Sequence, residues 1–252
     1  AHLSGPSAPQ CNGRPFATAA AMRKKIAFIA VSGVRVATDR LARLGVTLPG
    51  FVERAKVIAS MPSLGLLTLA AVTPPDFDIE YLEMPSFDAN AVDDVDADLV
   101  AISSFTAKAN VMYEIADRLR ARGVTVVLGG LHCTLLPGEA APHADAVVAG
   151  EGELAWPRLL ADWQQGTLRP FYRTAFRALD LGNVPAPRYD LLDPTKYNRL
   201  PVQTSRGCPL DCEFCAVTTF FGVRYRNRQL DDVLRELHQL KPFEGRFILK
   251  NI

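Results

Sequence analysis

The sequence predicts an α/β fold over residues 25–165, a doubly wound parallel sheet with helices on both faces. Short apolar runs of strand length recur along this stretch, and segments with helical periodicity alternate with them. Small or polar residues follow most of the runs, as is typical of the ends of parallel strands. Strands that alternate with helices form parallel sheets that are covered on both faces, as in Rossmann and flavodoxin-like folds.

The elements of this sheet follow in order along the chain. Val111, Ile115 and Leu119 recur with the 3.6-residue period of a helix, and Gly123 comes where that helix should end. We predict about five strands. The strands are residues 26–31, 79–82, 98–103, 124–128 and 146–148, and the helices are residues 64–72, 108–122, 136–141 and 154–163, with a further helix around 51–59.

The remaining stretches divide the chain into further segments. Residues 1–24 are rich in Ala, Pro, Gly and Ser without any period, which predicts a disordered lead. Residues 166–200 carry several prolines and no sustained period, which predicts a linker. Residues 201–252 contain a short strand, a cysteine-rich loop, an amphipathic helix at 230–240 with Val233, Leu234, Leu237 and Leu240 on its apolar side, and a second strand at 246–249.

Composition limits the class of protein. The chain has 252 residues, a net charge of +1, 48% hydrophobic and 22% charged residues. These values predict a globular protein that has no electrostatic reason to bind nucleic acid or an anionic membrane. No apolar run approaches the ~20 residues of a membrane span. The five cysteines are an odd number with three crowded together, so we expect a cytoplasmic, reducing environment and no disulfide framework.

Three cysteines carry the clearest chemical signal. Cys208, Cys212 and Cys215 follow a C-x₃-C-x₂-C spacing. Three thiolates can hold three irons of a [4Fe–4S] cluster, which leaves the fourth iron open to another ligand. The alternatives are a zinc knuckle and a chance cluster of cysteines. A zinc knuckle needs a second ligand pair, and none follows Cys215. Cys133 lies far from this loop, and we expect it to be a buried or idle thiol.

Residues 204–215 resemble the cluster loop of radical S-adenosylmethionine (radical SAM) enzymes, especially the branch with an N-terminal cobalamin-binding domain. The resemblance implies that the open iron chelates S-adenosylmethionine, whose reductive cleavage releases a 5′-deoxyadenosyl radical. It places Phe214 near the adenine. It also makes residues 201–252 the first, incomplete part of a radical SAM (β/α) partial barrel. Lys250 departs from the family pattern, which usually has an acid at this strand end.

The strand ends of residues 25–165 resemble the cobalamin-binding domain of the same branch, through residues 62–66, 127–132 and 150–153. The resemblance implies that Ser103, Ser104, Gly129 and Gly130 line the nucleotide tail of cobalamin and that His132 lies near the corrin rim. It also makes Glu151 a candidate cofactor contact. No histidine follows the first strand, at residues 32–37, so we expect cobalamin without a histidine ligand from that loop.

Each of these assignments has an alternative. Small residues end strands in any doubly wound domain, and such domains also bind flavin or no cofactor. His132 is equally a loop histidine that is hydrogen-bonded to backbone. Glu151 and Glu153 are equally carboxylates that complement a helix dipole. Three arginines follow the cysteine loop: Arg224, Arg226 and Arg228. They could pair with the carboxylate of S-adenosylmethionine, remain solvated or contact the other domain.

The resemblance implies a cobalamin-dependent radical SAM enzyme, first of all a methyltransferase that acts on an unactivated carbon of a small molecule. Its cofactors would be a [4Fe–4S] cluster, S-adenosylmethionine and cobalamin, and its electron donor a flavodoxin or ferredoxin. Some members of the family perform ring closure or rearrangement instead. The other hypotheses are a non-catalytic corrinoid-binding module and an iron–sulfur electron carrier. The sequence names no catalytic residue and no specific substrate.

Overall fold

The structure is a computed structural model that describes residues 23–31, 61–84, 86–175, 179–193, 197, 200–210, 212–213, 215, 217–240 and 247–251. Four features predicted from the sequence lie outside these residues. They are the lead up to residue 22, the histidine-free loop at 32–37, the helix around 51–59 and the side chain of Phe214.

A six-stranded parallel sheet forms the larger part of the described chain. Its strands are β1 (Lys25–Ala30), β2 (Asp78–Glu83), β3 (Leu99–Ser103), β4 (Thr125–Gly129), β5 (Ala146–Ala149) and β6 (Phe171–Arg173). The spatial order is β2-β1-β3-β4-β5-β6, and every neighbouring pair is parallel. The doubly wound fold class is therefore confirmed.

The sixth strand corrects the predicted count of about five. β6 lies inside the segment that the sequence predicted as a linker, and it pairs with β5. Only Tyr172 of its three residues is buried, so the strand shows no apolar run in the sequence. The sheet consequently extends to Arg173, beyond the boundary predicted at residue 165.

Helices cover both faces of this sheet. They are α1 (Leu64–Ala71), α2 (Ala89–Asp93), α3 (Ala109–Ala121), α4 (Leu131–Leu135), α5 (Pro137–Ala140) and α6 (Gly152–Gln164). Alternate residues of β1 belong to two separate apolar cores: Phe28 packs with α1 and α6, whereas Ile29 packs with α3. Burial on both faces explains why the central strands are continuously apolar.

The strand order locates the switch point of the sheet. β2 follows β1 on one side, and β3 then lies on the other side of β1. Ligands of such sheets bind beyond the carboxyl ends of the strands at this switch in order. Ser103 and Gly129 are neighbours in register and end their strands at that edge.

A second, three-stranded sheet follows, with the order β8-β7-β9. Its strands are β7 (Leu200–Arg206), β8 (Arg226–Asn227) and β9 (Phe247–Asn251), and its helices are α7 (Val217–Phe221) and α8 (Leu230–Gln239). β7 and β9 are parallel, with α8 between them in the chain. This is the strand–helix–strand unit expected at the start of a (β/α) barrel.

Helix α8 shows which residues of its predicted apolar side face inward. Val233 and Leu240 are buried, and Leu237 is partly buried against the same core, but Leu234 is 44% exposed. Glu236 takes an inward position instead and is completely buried. The prediction for Leu234 was therefore wrong, because the buried row runs through Glu236. None of the helices in the described parts of the chain is long and apolar enough to cross a membrane.

Candidate functional site

A cavity of about 290 Å³ opens at the carboxyl edge of the six-stranded sheet. This volume is close to the lower end of the range for small-molecule sites, which is about 300–1,000 Å³. One wall comes from the strand ends and from α1, and the other comes from β7 and α7. Its lining includes Met61, Ser63, Leu69, Ser103, Ser104, Phe105, Gly130, Thr134, Gly150, Glu151, Glu153, Gln203, Arg206, Phe220 and Phe221.

Gly130 gives this cavity a backbone wall that no other residue allows. Its φ is 93° and its ψ is −170°, a combination that is accessible essentially to glycine alone. A Cβ at this position would collide with the hydroxyl oxygen of Ser103. Gly150 is similar. Its φ is 104°, and a Cβ there would collide with the hydroxyl oxygen of Thr174, at 2.5 Å. The strand ends therefore form a cradle in which backbone can approach a ligand closely.

The predicted tail-lining residues differ in their placement. Ser103, Ser104 and Gly130 line the cavity, and the buried Ser104 hydroxyl donates to the carbonyl of Phe105 at 3.2 Å. Gly129 is not part of the lining. It lies within the sheet, where a Cβ would be 3.7 Å from the Cβ of Val148. Gly129 thus lies beside Val148 of β5, and a Cβ there would be at ordinary van der Waals distance.

His132 lies in helix α4, behind the cavity wall, and does not line the cavity. It is buried, its Nε2 is 2.9 Å from the hydroxyl of Tyr113, and its Nδ1 is 3.4 Å from the hydroxyl of Thr106. Glu139 Oε1 is 3.3 Å from the same Nε2. Burial, with the nearby charge of Glu139 as a further cause, raises the pKa of Tyr113, which therefore stays a neutral hydroxyl at physiological pH.

Four charged side chains join the cavity wall to the second sheet. Arg206 donates to Glu153 at 2.7 Å and approaches Glu151 at 3.4 Å, and Arg226 pairs with Glu151 at 2.7 Å. All four side chains are at most 10% exposed. Glu151 also accepts the backbone N–H of Leu179 at 2.9 Å. We call Glu151, Glu153, Arg206 and Arg226 the charge quartet; two carboxylates balance two guanidinium groups.

One member of the charge quartet, Arg206, lies two residues before the first cysteine of the loop. Arg206 ends β7, and Gly207 follows with a φ of 93°. A Cβ on Gly207 would collide with the carbonyl of Arg224, so only glycine allows this close approach of the two backbone segments. The N–H of Cys208 then donates to the carbonyl of Gly222 at 3.2 Å. The position of the first cysteine is therefore tied to that of Arg206.

The three predicted metal ligands are free, partly exposed thiols on this loop. The N–H of Cys215 donates to the carbonyl of Cys212 at 3.0 Å, which forms a tight turn between the last two ligands. Among the residues that the structure describes, no three His, Cys, Asp or Glu side chains lie close enough together to hold a metal ion. The donor set nevertheless fits an iron–sulfur cluster, because the three thiols share one loop while Cys133 is buried in α4.

A second buried network holds α8 against β7. Glu236 pairs with Arg228 and accepts the hydroxyl of Tyr189 at 2.6 Å. The Tyr189 hydroxyl also lies 2.7 Å from the carbonyl of Pro201, and Arg228 donates to the carbonyl of Gln203 at 3.2 Å. Arg226 and Arg228 are thus paired with buried carboxylates of the chain itself. For Arg226 the contact with the other domain, one of its three open roles, is confirmed.

Sequence reasoning missed two of these residues. Arg206 was part of the cysteine motif, but no role was predicted for it. Its position directly before Gly207 and Cys208 could have indicated a role. Glu236 was hidden because acidic residues are usually assigned to the solvent face of a helix. Its signal was its spacing of three residues from Val233 and four from Leu240, which places it in the buried row.

Comparison with known proteins agrees with this geometry. Residues 52–160 match the model of the B12 binding domain. The chain is 37% identical over 189 residues to bacteriochlorophyllide d C-8(2)-methyltransferase of Chlorobaculum tepidum, a match that covers 72% of this chain and 41% of that protein. It is 30% identical over 187 residues to hopanoid C-2 methylase of Rhodopseudomonas palustris, which covers 73% and 35%. The chain thus spans well under half the length of these curated relatives.

Two solved structures share the fold. OxsB, a cobalamin-dependent S-adenosylmethionine radical enzyme with aqua-cobalamin and S-adenosylmethionine bound, superposes with a TM-score of 0.64 at 16% identity, over 91% of this chain and 34% of that one. The radical S-adenosylmethionine methyltransferase TsrM of Kitasatospora setae, with cobalamin and a [4Fe–4S] cluster bound, superposes with a TM-score of 0.63 at 15% identity, over 91% and 48%.

Proposed function

Because this chain belongs to the radical S-adenosylmethionine enzymes with a cobalamin-binding domain, we propose that its parent protein is a methyltransferase that acts on an unactivated carbon of a small molecule. One observation carries the proposal. The glycine-walled cavity of the B12-binding fold and the three-cysteine loop meet in one structure, joined by the contact of Arg206 with Glu153. A corrinoid and an open-iron cluster would then lie on two sides of the same contact.

The chain's own residues divide among the three cofactors. We assign Cys208, Cys212 and Cys215 to the [4Fe–4S] cluster and Phe214 to the adenine of S-adenosylmethionine. We assign to cobalamin the predicted residues of the strand ends. They are Ser103, Ser104, Gly129, Gly130, His132 and Glu151; of these, Gly129 and His132 would act from behind the cavity wall. When bound, the cofactors supply methyl transfer and radical generation, and the protein positions and shields them.

The setting follows from the same chemistry. Cys208, Cys212 and Cys215 are free thiols, which supports a cytoplasmic, reducing environment with a flavodoxin or ferredoxin as electron donor. We propose that residues 25–173 form the cobalamin-binding part, where the sequence suggested 25–165, and that residues 201–252 are the start of the radical SAM domain. The pairing of β6 with β5 supports moving the first boundary to residue 173.

Anaerobic reconstitution with iron, sulfide and hydroxocobalamin tests the proposal. We expect about four irons and one cobalt per chain, as one [4Fe–4S] cluster and one corrinoid require. The Cys212→Ala variant should lose most of the iron and retain cobalt, and the matched Cys133→Ala variant should retain both. The full-length protein should then release 5′-deoxyadenosine from S-adenosylmethionine under reducing conditions. Cobalt without iron in the wild type would favour the corrinoid-binding module, and iron without cobalt would contradict the assignment of the cavity.

A further inference from the structure

The cavity and the cysteine loop share one side chain, Arg206. It lines the cavity with Glu151 and Glu153. Its guanidinium contacts Glu153 at 2.7 Å and the side-chain oxygen of Gln203 at 3.0 Å. Its side chain is 9% exposed, and its Nε–H has no hydrogen-bond partner among the described residues. A ligand in this cavity would therefore touch three members of the charge quartet directly: Glu151, Glu153 and Arg206.

The backbone carries this contact onward to the metal-binding loop. Arg206 and Cys208 are separated only by Gly207, and Arg206 itself is paired in register with Arg226 of β8. The N–H of Cys208 donates to the carbonyl of Gly222, which holds the first cysteine two residues after the end of β7. A shift of the Arg206 guanidinium would consequently change the geometry of the first thiol.

Charge balance makes this arrangement sensitive. The charge quartet is neutral as a whole, and each member is at least nine-tenths buried. Loss of the Arg206 charge would leave Glu153 without its ion-pair partner, because Arg226 pairs with Glu151. A buried carboxylate without a counter-charge rearranges or takes up a proton. The cavity wall and the cysteine loop would then no longer be held in one arrangement.

We infer that Arg206 is a positioning residue that couples ligand binding in the cavity to cluster assembly on the cysteine loop, so that each cofactor raises the affinity for the other. The inference rests on the proposed function, since it takes the ligand as cobalamin and the cluster as [4Fe–4S]. Coupling between two sites is reciprocal and typically amounts to about 5–150-fold in affinity.

The test measures the affinity for hydroxocobalamin, by anaerobic absorption titration of the full-length protein with and without a reconstituted cluster. We expect the cluster to tighten binding by about 10-fold in the wild type. In Arg206→Gln and in Glu153→Gln this difference should fall below about 2-fold, with the iron content and the circular dichroism spectrum retained. Arg206→Lys keeps the charge but loses the paired contacts, so it should give an intermediate value.

Arg224→Gln is the matched control, since Arg224 is an exposed arginine near the same turn. It should preserve the full coupling. Retained coupling in a folded Arg206→Gln variant would overturn the inference, as would a wild type that binds both cofactors independently. Both of those results leave the proposed function intact. A wild type that binds no cobalamin, or assembles no cluster, would instead refute the proposed function.

Discussion

Glu236 offers a direct test of the energetics of the second sheet. It is completely buried, and its partners are Arg228, whose side chain is 5% exposed, and the hydroxyl of Tyr189. Burial raises the pKa of Tyr189, and the charge of Glu236 adds to this effect, so Tyr189 remains a neutral donor. Glu236→Gln removes the charge but keeps the shape. It leaves the buried guanidinium of Arg228 without a counter-charge.

Breaking a buried ion pair from one side costs about 3–5 kcal/mol. The glutamine oxygen can still accept a hydrogen bond, and Tyr189 keeps the carbonyl of Pro201, so we expect a loss near the lower value, about 3 kcal/mol. With a urea m-value of about 2 kcal/mol/M, the midpoint should fall by roughly 1.5 M. Urea denaturation followed by circular dichroism measures this shift.

Two further variants decide whether the reasoning holds. The double variant Glu236→Gln/Arg228→Met removes the stranded charge and should recover stability to within about 1 kcal/mol of the wild type. Asp232→Asn is the control on the same helix, because its partner Arg235 is 68% exposed, and it should cost at most about 0.5 kcal/mol. A Glu236→Gln loss as small as that of Asp232→Asn would refute the argument.

Two more predictions concern single residues of the first sheet. Gly130→Ala should destabilise the fold by about 1–3 kcal/mol and weaken hydroxocobalamin binding, because alanine strains this backbone and collides with Ser103. Gly138→Ala, with nothing near its Cβ, should be neutral or slightly stabilising; equal thermal melts for the two variants would contradict this account. Burial raises the pKa of Cys133 to about 12, so at about pH 8.5 its thiol stays protonated and should resist iodoacetamide, while the loop cysteines react. Peptide mass spectrometry reads this out, and rapid labelling of Cys133 in the folded protein would be the contrary result.

The sequence was sufficient where local pattern determines structure. The five predicted strands of the first sheet all appear. Four of them, β1, β3, β4 and β5, are continuous apolar runs, as is typical of strands that are buried on both faces. β6 escaped prediction since it has only three residues, two of which are exposed, which is too short for a recognisable pattern. The cradle at Gly130 was also visible in the sequence as a glycine pair after a strand.

The rest depended on contacts between distant parts of the chain. Arg206 meets Glu153 across 53 residues, and Glu236 meets Tyr189 across 47. Local periodicity cannot show that a charged side chain has a partner so far away in sequence. It therefore assigned Leu234 to the interior and left Glu236 unassigned. The placement of His132 behind the cavity also required the structure, since it is fixed by a hydrogen bond to Tyr113 on another helix.

Helix α6 has a practical consequence for experiments on this protein. Both tryptophans of the chain lie in it: Trp156 packs against Phe28 with 5.5 Å between the ring centroids, and Trp163 donates to the hydroxyl of Thr125 at 3.3 Å. The same helix begins at Gly152, between the two acids of the cavity wall. Tryptophan fluorescence of this chain thus reports on the six-stranded sheet. A corrinoid that binds near the N-terminus of this helix would absorb the emitted light and quench the tryptophan fluorescence by energy transfer. Binding could then be followed optically without a label.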